Sequence, residues 1–363
     1  MNRRNFLHCG AAAILTTPVL AALKLERIGD AESVLAKAVA SGQVSSAVLH
    51  VQQRQTSLTR CFGNAHENSM FLLGSISKPI CVAALMTLFD QNRFQLDDPL
   101  KKFIPQFTAD GRDKVTLRQL LTHVSGLPDQ VKENESLRRN HAGLTEFVDH
   151  AIRTPLQFEP GSKYQYSSMA ILLAVHVAQL ITGDNILDLV DRTVFKPSGM
   201  KQSALGLGRF AIDAMVPVQT EFAAPEAGGG DPSTKGWDWN SPYWRRLGAP
   251  WGGVHSSAPD VARFLAEFLG ARGTIVKPQT AKLMVSNHNS QGLAPRGLGF
   301  DVGPSVGPKR STDAFGHSGS TGTLAWADPA SETICVVLTS LPGRAVNPHP
   351  RDLASGFVAQ AVQ

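Results

Sequence analysis

Strand-like segments lie near both ends of this chain, and a long stretch that reads as helical separates them. Residues 47–52 and 57–62 predict a hairpin that turns across Arg54 and Gln55. Strand patterns return at residues 298–302, 323–328 and 334–339. Strands at both ends of a helical middle predict an α+β fold, an α/β sandwich in which one antiparallel sheet of N- and C-terminal strands is flanked by helices.

The helical pattern covers most of the middle of the chain. Apolar spacing and end signals predict helices at residues 30–41, 79–91, 116–122, 144–153, 167–183, 186–195, 259–270 and 351–362. The first and last of these helices are expected to flank the sheet.

The N-terminus is predicted to be an export signal. Arg3 and Arg4 precede Phe6 and Leu7, and about a dozen apolar residues follow, fewer than the ~20 of a membrane span. The arrangement resembles the twin-arginine export signal. We therefore predict a signal peptide at residues 1–21 and export to the periplasm or the outside of a bacterial cell.

Charge and cysteine content narrow the classes of partner. The formal net charge of +5 falls to +3 without Arg3 and Arg4, and the basic residues are scattered. Nucleic acid is therefore not an expected partner. We also expect no integral membrane span. A bridge between Cys61 and Cys335, both in predicted strands, stays open beside buried free thiols. The oligomeric state is also open.

Ser75 and Lys78 form a Ser-x-x-Lys motif in front of a long apolar run at residues 79–86. If a helix begins near Ser75, residues three apart share a face, so the hydroxyl and the amine can touch. A helix N-terminus favours the oxyanion of acyl transfer. A lysine against apolar surface loses affinity for its proton and can act as a base.

The same spacing occurs a second time, at Ser198 and Lys201. This copy follows Pro197 and contains Gly199, and no apolar helix comes after it. It reads as a turn after a helix. Short motifs arise by chance, so Ser75 needs support from elsewhere in the chain.

Two distant segments supply that support. Residues 160–168 read PGSKYQYSS and precede an apolar run, and residues 315–322 read FGHSGSTG. With Ser75 and Lys78, the order Ser-x-x-Lys, Tyr166-Ser167-Ser168 and His317-Ser318-Gly319 resembles the serine β-lactamase and penicillin-recognising hydrolase superfamily. The resemblance is greatest to its class C-like branch, which includes D-Ala-D-Ala carboxypeptidases and β-lactamase-like carboxylesterases.

Three further stretches resemble the same family, namely residues 120–128, 195–200 and 252–262. The resemblance implies one β-lactamase-related hydrolase domain over residues 23–363. A mostly helical subdomain at about 79–250 would be inserted between strand regions at about 45–75 and 290–340. The active site would lie between the sheet and the helical part.

The resemblance also implies a role for each site residue. Ser75 would be acylated, and Lys78 and Tyr166 would share the proton transfers, with the base left open between them. The backbone N–H groups of Ser75 and Ser320 would form the oxyanion hole. Ser168 and His317 would orient the substrate, together with the backbone around Gly319.

Two departures from the family pattern bear on the substrate. Ser168 stands where the family usually has Asn, and a hydroxyl donates only one proton. His317 stands where the lactamases have a lysine, and an unperturbed imidazole is charged only below about pH 6.5. Both changes favour carboxylic esters or D-amino peptides and amides over β-lactams. A β-lactamase and a penicillin-binding sensor that acylates without turnover remain the alternatives.

Residues 224–241 predict a long loop with Gly228-Gly229-Gly230 in it. Trp237 and Trp239 lie in the loop, and Trp244 and Trp251 follow it. They read equally well as an aromatic wall over the substrate and as a loop that buries its own aromatics.

The sequence lacks the motifs of triad hydrolases and of zinc hydrolases. The chain has no Gly-x-Ser-x-Gly elbow and no His-Glu-x-x-His zinc motif. We therefore expect neither a metal nor another cofactor, and the expected partner is a small-molecule or peptide substrate. His123 sits in a predicted helix-ending loop, where a structural role is favoured.

Overall fold

The structure, a computed structural model, describes residues 25–362, so the predicted signal peptide lies outside the described residues. Its strands are β1 (Ser46–Gln53), β2 (Thr56–Gly63), β3 (Phe71–Leu72), β4 (Ser203–Leu205), β5 (Val254–Ser256), β6 (Asp301–Val302), β7 (Phe315–Gly319), β8 (Thr323–Asp328) and β9 (Thr333–Thr339). Its α-helices are α1 (Leu25–Ala40), α2 (Ser77–Asp90), α3 (Leu117–Leu121), α4 (Asn134–Arg139), α5 (Leu144–Arg153), α6 (Ser168–Thr182), α7 (Ile186–Val190), α8 (Lys196–Ser198), α9 (Pro242–Leu247), α10 (Ala258–Leu269), α11 (Pro278–Met284) and α12 (Pro350–Ala361).

Strands from both ends of the chain share one six-stranded sheet, in the order β2-β1-β9-β8-β7-β6. Every neighbouring pair in it is antiparallel. The hairpin of β1 and β2 closes with Gln53 opposite Thr56, and the other edge of β1 pairs with β9, where Ala47 lies opposite Thr339. The predicted α+β fold is confirmed.

The sheet separates two apolar cores. On one face, α1 and α12 pack against each other and bury Leu35, Trp326 and Val358. On the other face, the larger core contains α2, α6 and α10. Helix α2 is apolar on all sides, and twelve of its fourteen residues are buried, as expected for a helix inside a domain.

Some elements differ from the sequence prediction. The strand predicted at 298–302 pairs only at Asp301 and Val302, because Gly299 has a φ of +80°, outside the extended region. The helix predicted at 186–195 changes into a π-helical turn at Asp191–Phe195. The sequence analysis missed the strand β7, the small sheet β3-β5-β4 and the short helices α4, α9 and α11.

The open bridge between Cys61 and Cys335 does not form. Strand β1 lies between their strands, with Val48 opposite Cys61 and Val51 opposite Cys335. Cys61 is exposed and Cys335 is buried, and both thiols are free. A direct bond would have to cross the width of β1.

Within residues 25–362, no single helix has both the length and the apolar composition to cross a membrane. Helix α6 and the bent segment at Ile186–Ser198 would pass that test only when taken together.

Candidate active site

The start of α2 places Ser75 against Lys78. A single 3₁₀ turn at Gly74–Ile76 leads into the helix, so both side chains lie on one face of its first turns. Lys78 Nζ donates a hydrogen bond to Ser75 Oγ at 2.9 Å. The contact predicted from the Ser-x-x-Lys spacing is therefore present.

Lys78 is held in apolar surroundings. Its side chain is 1% exposed, and its second hydrogen bond goes to the carbonyl oxygen of Trp251 at 2.9 Å. Burial lowers the pKa of Lys78 from 10.5 to about 7, against a raising effect of the Asp129 carboxylate. Near neutral pH a large fraction of Lys78 is thus a free amine next to the Ser75 hydroxyl.

Tyr166 closes the other side of Lys78. Its ring centroid lies 4.7 Å from Lys78 Nζ. Its hydroxyl is buried near Ser75, although no hydrogen bond of ordinary geometry joins the two groups. Burial raises the pKa of Tyr166 well above its usual value, so the phenol keeps its proton at neutral pH.

His123 positions Tyr166. The Nδ1 atom of His123 accepts a hydrogen bond from the N–H of Ser167 at 3.1 Å, and the two rings lie 4.5 Å apart. Ser167 in turn caps α6 by accepting from the N–H of Ala170. His123 has a φ of 61°, which fits the predicted helix-ending loop.

The turn that carries Ser320 is bound to the segment in front of Ser75. Thr321 Oγ1 donates to the carbonyl of Leu72, and Thr323 Oγ1 donates to the carbonyl of Leu73, both at 2.6 Å. A Cβ on Gly74 would lie 3.2 Å from the backbone nitrogen of Ser320. The structure thus brings together the two segments whose N–H groups are predicted to bind the oxyanion. Gly319 has no room for a side chain, because a Cβ there would meet the carbonyl of Leu73.

His317 is buried behind Tyr166, with ring centroids 6.0 Å apart. Its Nδ1 lies 2.7 Å from the carbonyl of Ser318, and its Nε2 lies 3.2 Å from Nη2 of Arg296. Because arginine only donates, Nε2 must accept and Nδ1 must carry the proton. Burial and the charge of Arg296 hold the pKa of His317 well below 6.5. The expectation that His317 becomes charged just below pH 6.5 is therefore wrong.

Arg296 is a site residue that the sequence analysis missed. It is 3% exposed and forms an ion pair with Asp301, at the edge of the sheet. His317 stands where the lactamases have a lysine cation. Here the neighbouring Arg296 supplies a cation instead, and Asp301 already balances its charge. The residues around Arg296 carry no sequence motif that would identify it as a site residue, because only the tertiary fold brings it next to His317.

A cavity of about 120 Å³ opens at Ser75. Ser168, Ser320 and Tyr166 line it on the catalytic side. Trp239, Trp244 and Trp251 form its aromatic wall. Trp237 lies elsewhere, in a second cavity with His141 and Arg139. The volume suits a short substrate group, since pockets for drug-sized ligands have about 300–1,000 Å³.

Three charged side chains complete the lining, and none of them was predicted. They are Asp129, Arg138 and Glu226. Asp129 Oδ1 accepts from the N–H of Ser168 at 2.8 Å and so holds the start of α6. Arg138 comes from α4, which reads in the sequence as a short polar stretch. Within residues 25–362, no three His, Cys, Asp or Glu side chains are grouped so that they could hold a metal ion.

Comparison with known proteins agrees with this arrangement. The sequence model of the Beta-lactamase family matches residues 31–359. A protein of Salmonella agona (strain SL483), named "Putative D-alanyl-D-alanine carboxypeptidase", is 26% identical over 335 residues, which cover 82% of this chain and 76% of that protein.

Solved structures share the fold at low sequence identity. The D-amino acid amidase of Ochrobactrum anthropi SV3 superposes with a TM-score of 0.75 at 21% identity, covering 93% of this chain and 99% of the amidase. EstCE1, described as a hydrolase with promiscuous acyltransferase activity, gives a TM-score of 0.74 at 20% identity and the same coverage.

Proposed function

This chain belongs to the beta-lactamase family and has the fold of its serine hydrolases, and from that premise we propose that it hydrolyses its substrate through an acyl-enzyme at Ser75. The observation that carries the proposal is the 2.9 Å contact between Lys78 Nζ and Ser75 Oγ, made by a lysine whose pKa is about 7. A neutral amine at that distance can take the hydroxyl proton as Oγ attacks a carbonyl.

The two proton carriers have different roles in this proposal. Lys78 is the base toward Ser75, because burial frees its amine near neutral pH. Tyr166 is the acid, because its raised pKa keeps the phenol protonated until a leaving group needs the proton. Lys78 then returns a proton to Tyr166. Water attacks the acyl-enzyme with the same groups working in reverse, which releases the acid and restores Ser75.

The negative charge of the tetrahedral intermediate needs donors that are already in place. The N–H groups of Ser75 and Ser320 are the proposed oxyanion hole. The hydrogen bonds of Thr321 and Thr323 to the segment before Ser75 support this role, because they hold the two donors in a fixed relation.

The substrate class we propose is short carboxylic esters, or amides of D-amino acids and D-peptides. The small cavity favours short groups. Near His317 the charge of Arg296 is balanced by Asp301, so a β-lactam carboxylate finds no unpaired cation there. The carboxylates of Asp129 and Glu226 line the cavity and favour the amide alternative, since an α-ammonium group could bind to them.

We also propose that the enzyme acts outside the cytoplasm. The support is the twin-arginine-like pattern at Arg3 and Arg4 and the apolar run behind it.

The test is the mass of the intact protein after exposure to three reagents. A fluorophosphonate should add to Ser75 permanently. Short-chain nitrophenyl esters should be turned over, with at most a transient acyl adduct. A chromogenic cephalosporin should be cleaved slowly or not at all. A permanent cephalosporin adduct without ester turnover would instead identify a sensor, and no adduct with any reagent would contradict the proposal.

A further inference from the structure

The aromatic wall of the cavity contains donors without acceptors. Arg138 Nη1, Trp244 Nε1 and Trp251 Nε1 are all buried and have no hydrogen-bond partner, and all three residues line the cavity at Ser75. Indole and guanidinium groups only donate. Gln130 Oε1, an acceptor, and the Tyr166 hydroxyl are also buried and unpartnered in this cavity. Buried polar groups are nearly always paired in native proteins, so the three donors grouped at the aromatic wall call for an explanation.

Arg138 is the most unusual of the three donors. It is 1% exposed and stacks on Trp244, with its guanidinium carbon 3.9 Å from the ring centroid. Its Nε donates to Asn134 Oδ1 at 3.2 Å. Among the described residues, no carboxylate lies within ion-pairing distance of it. A buried arginine is rarely found unpaired, because its desolvation is costly.

The carboxylates in the same cavity do not satisfy these donors. Asp129 already accepts from the N–H of Ser168. Glu226 acts on Arg138 only through its charge, which offsets part of the cost of burial. Both acids keep partial exposure, so water can solvate them. The three donors of Arg138, Trp244 and Trp251 at the aromatic wall therefore lack an acceptor.

We propose that Arg138, Trp244 and Trp251 form a subsite for an oxygen acceptor, a carbonyl or a carboxylate, in the acyl group of the substrate. This rests on the proposed acyl-enzyme at Ser75. The buried wall suits the acyl part, because that part stays on Ser75 while the leaving group must depart to solvent. Arg138 is then a specificity-determining residue for an acyl group with a second oxygen function.

The test uses methyl esters of similar size, so that the leaving group is constant. Methyl pentanoate has no second acceptor, methyl 4-oxopentanoate has a neutral one, and monomethyl succinate has an anionic one. Methyl 4-aminobutyrate carries a cation instead. Hydrolysis is followed by proton release. We expect kcat/KM for the oxo ester or the succinate to exceed that for the pentanoate by roughly tenfold to a hundredfold, the range of a hydrogen bond to a charged group.

The variant Arg138→Met keeps much of the apolar contact with Trp244 and removes the donor. It should abolish the preference, measured as the ratio of kcat/KM for the oxo ester or the succinate to kcat/KM for the pentanoate. Arg245→Met is the matched control. Arg245 is also buried, at 2% exposed, and also has an unpartnered Nη1, but it does not line the cavity. Loss of stability alone would lower all rates together in either variant and leave the ratio unchanged.

The outcomes separate this inference from the proposed function. A preference for the oxo ester identifies a neutral acceptor, and one for the succinate identifies an anion. Preference for the pentanoate or the amine, or a preference that survives Arg138→Met, overturns the subsite. If no ester is cleaved, the hydrolase proposal fails for esters. Calorimetry then measures binding of the four esters to Ser75→Ala. The subsite predicts tighter binding of the oxo ester or the succinate than of the pentanoate, and loss of this difference when Arg138→Met is added to Ser75→Ala.

Discussion

Arg296 and His317 form a buried pair in which the guanidinium donates from Nη2 to Nε2 of the imidazole at 3.2 Å. This contact fixes the tautomer and the charge of His317 together. A protonated imidazole would have no lone pair for Arg296 and would place two cations side by side. The contact therefore holds His317 neutral beside Arg296, whose guanidinium carbon also lies 5.6 Å from the centroid of the Tyr166 ring.

The pair predicts that a lysine cannot simply replace His317. His317→Lys would bury an ammonium beside Arg296, whose partner Asp301 is already engaged. We expect a loss of about 3–5 kcal/mol in unfolding free energy, the range for an uncompensated buried charge, and no gain in cephalosporin turnover. Adding Arg296→Met should restore part of the stability. Denaturant unfolding of the two variants and the original protein checks this, and a His317→Lys protein as stable as the original would refute it.

The pKa of Lys78 predicts the acid side of the rate profile. If the neutral amine is the base, kcat/KM rises with pH up to about 7 and then levels off. At two pH units below that pKa the rate should be about a hundredfold lower. The profile is measured with a neutral ester. Because the pKa of His317 is well below 6.5, the variant His317→Gln should keep the same midpoint, and a midpoint that moves would assign the titration to His317.

Burial of Lys78 also predicts a dependence of stability on pH. Between pH 7 and 10.5 the unfolded chain binds a proton at Lys78 that the folded chain does not, so this site costs stability at pH 7 and little at pH 10.5. Lys78→Met should raise the unfolding free energy by at least about 1 kcal/mol more at pH 7 than at pH 10. Equal effects at both pH values would mean that Lys78 titrates normally.

Lys78 and Tyr166 should act as a unit. In the proposed relay Lys78 takes the proton of Ser75 and returns a proton to Tyr166, and residues of one relay are strongly non-additive. Lys78→Ala and Tyr166→Phe should each lower kcat by orders of magnitude, and the double variant by little more. Single-turnover rates on one ester give the coupling. Fully multiplicative losses would show that the two residues serve separate steps.

The proposed nucleophile Ser75 can be tested against Ser198, the serine of the second Ser-x-x-Lys motif. Ser75→Ala should lose ester hydrolysis and fluorophosphonate labelling together. Ser198→Ala should keep both, because Ser198 Oγ is bound to the carbonyl of Val194 at 2.5 Å and lines none of the Ser75 cavity. Labelling that persists in Ser75→Ala and maps to Ser198 would reverse the assignment.

Export is predicted to depend on the arginine pair. Changing Arg3 and Arg4 to lysine should leave full-length precursor in the cytoplasm, since the twin-arginine route recognises the pair itself. Fractionation and the mass of the N-terminus measure this. Normal processing of the double variant would point to the general secretory route.

The features that sequence reasoning anticipated are local or ordered along the chain. The contact between Ser75 and Lys78 follows from the spacing on a helix, and the paired end strands follow from alternation and composition. Tyr166 was recognisable only from its place between two other motifs. Each of these depends on neighbouring residues or on motif order.

The missed features depend on contacts across the fold. Arg138 looks like a solvated residue of a polar stretch, yet the loop with Glu226 and the ring of Trp244 bury it. Arg296 reaches His317 only through the pairing of β6 and β7. Trp237 and Trp239 are two residues apart but lie in different cavities. Loop residues have no periodic pattern, so the sequence does not indicate which of their side chains face the site.

The position of β1 between β2 and β9 has a consequence for the time course of folding. Ser75 leaves the ribosome early, while Ser320 and its anchoring strands come last, at synthesis rates of about 5–20 residues per second. The sheet cannot join its two halves before the chain is nearly complete, and pairings this distant in sequence form slowly. A nascent chain thus carries the proposed nucleophile Ser75 for many seconds without Ser320, the proposed second oxyanion donor, and we expect hydrolytic activity to arise in one late step.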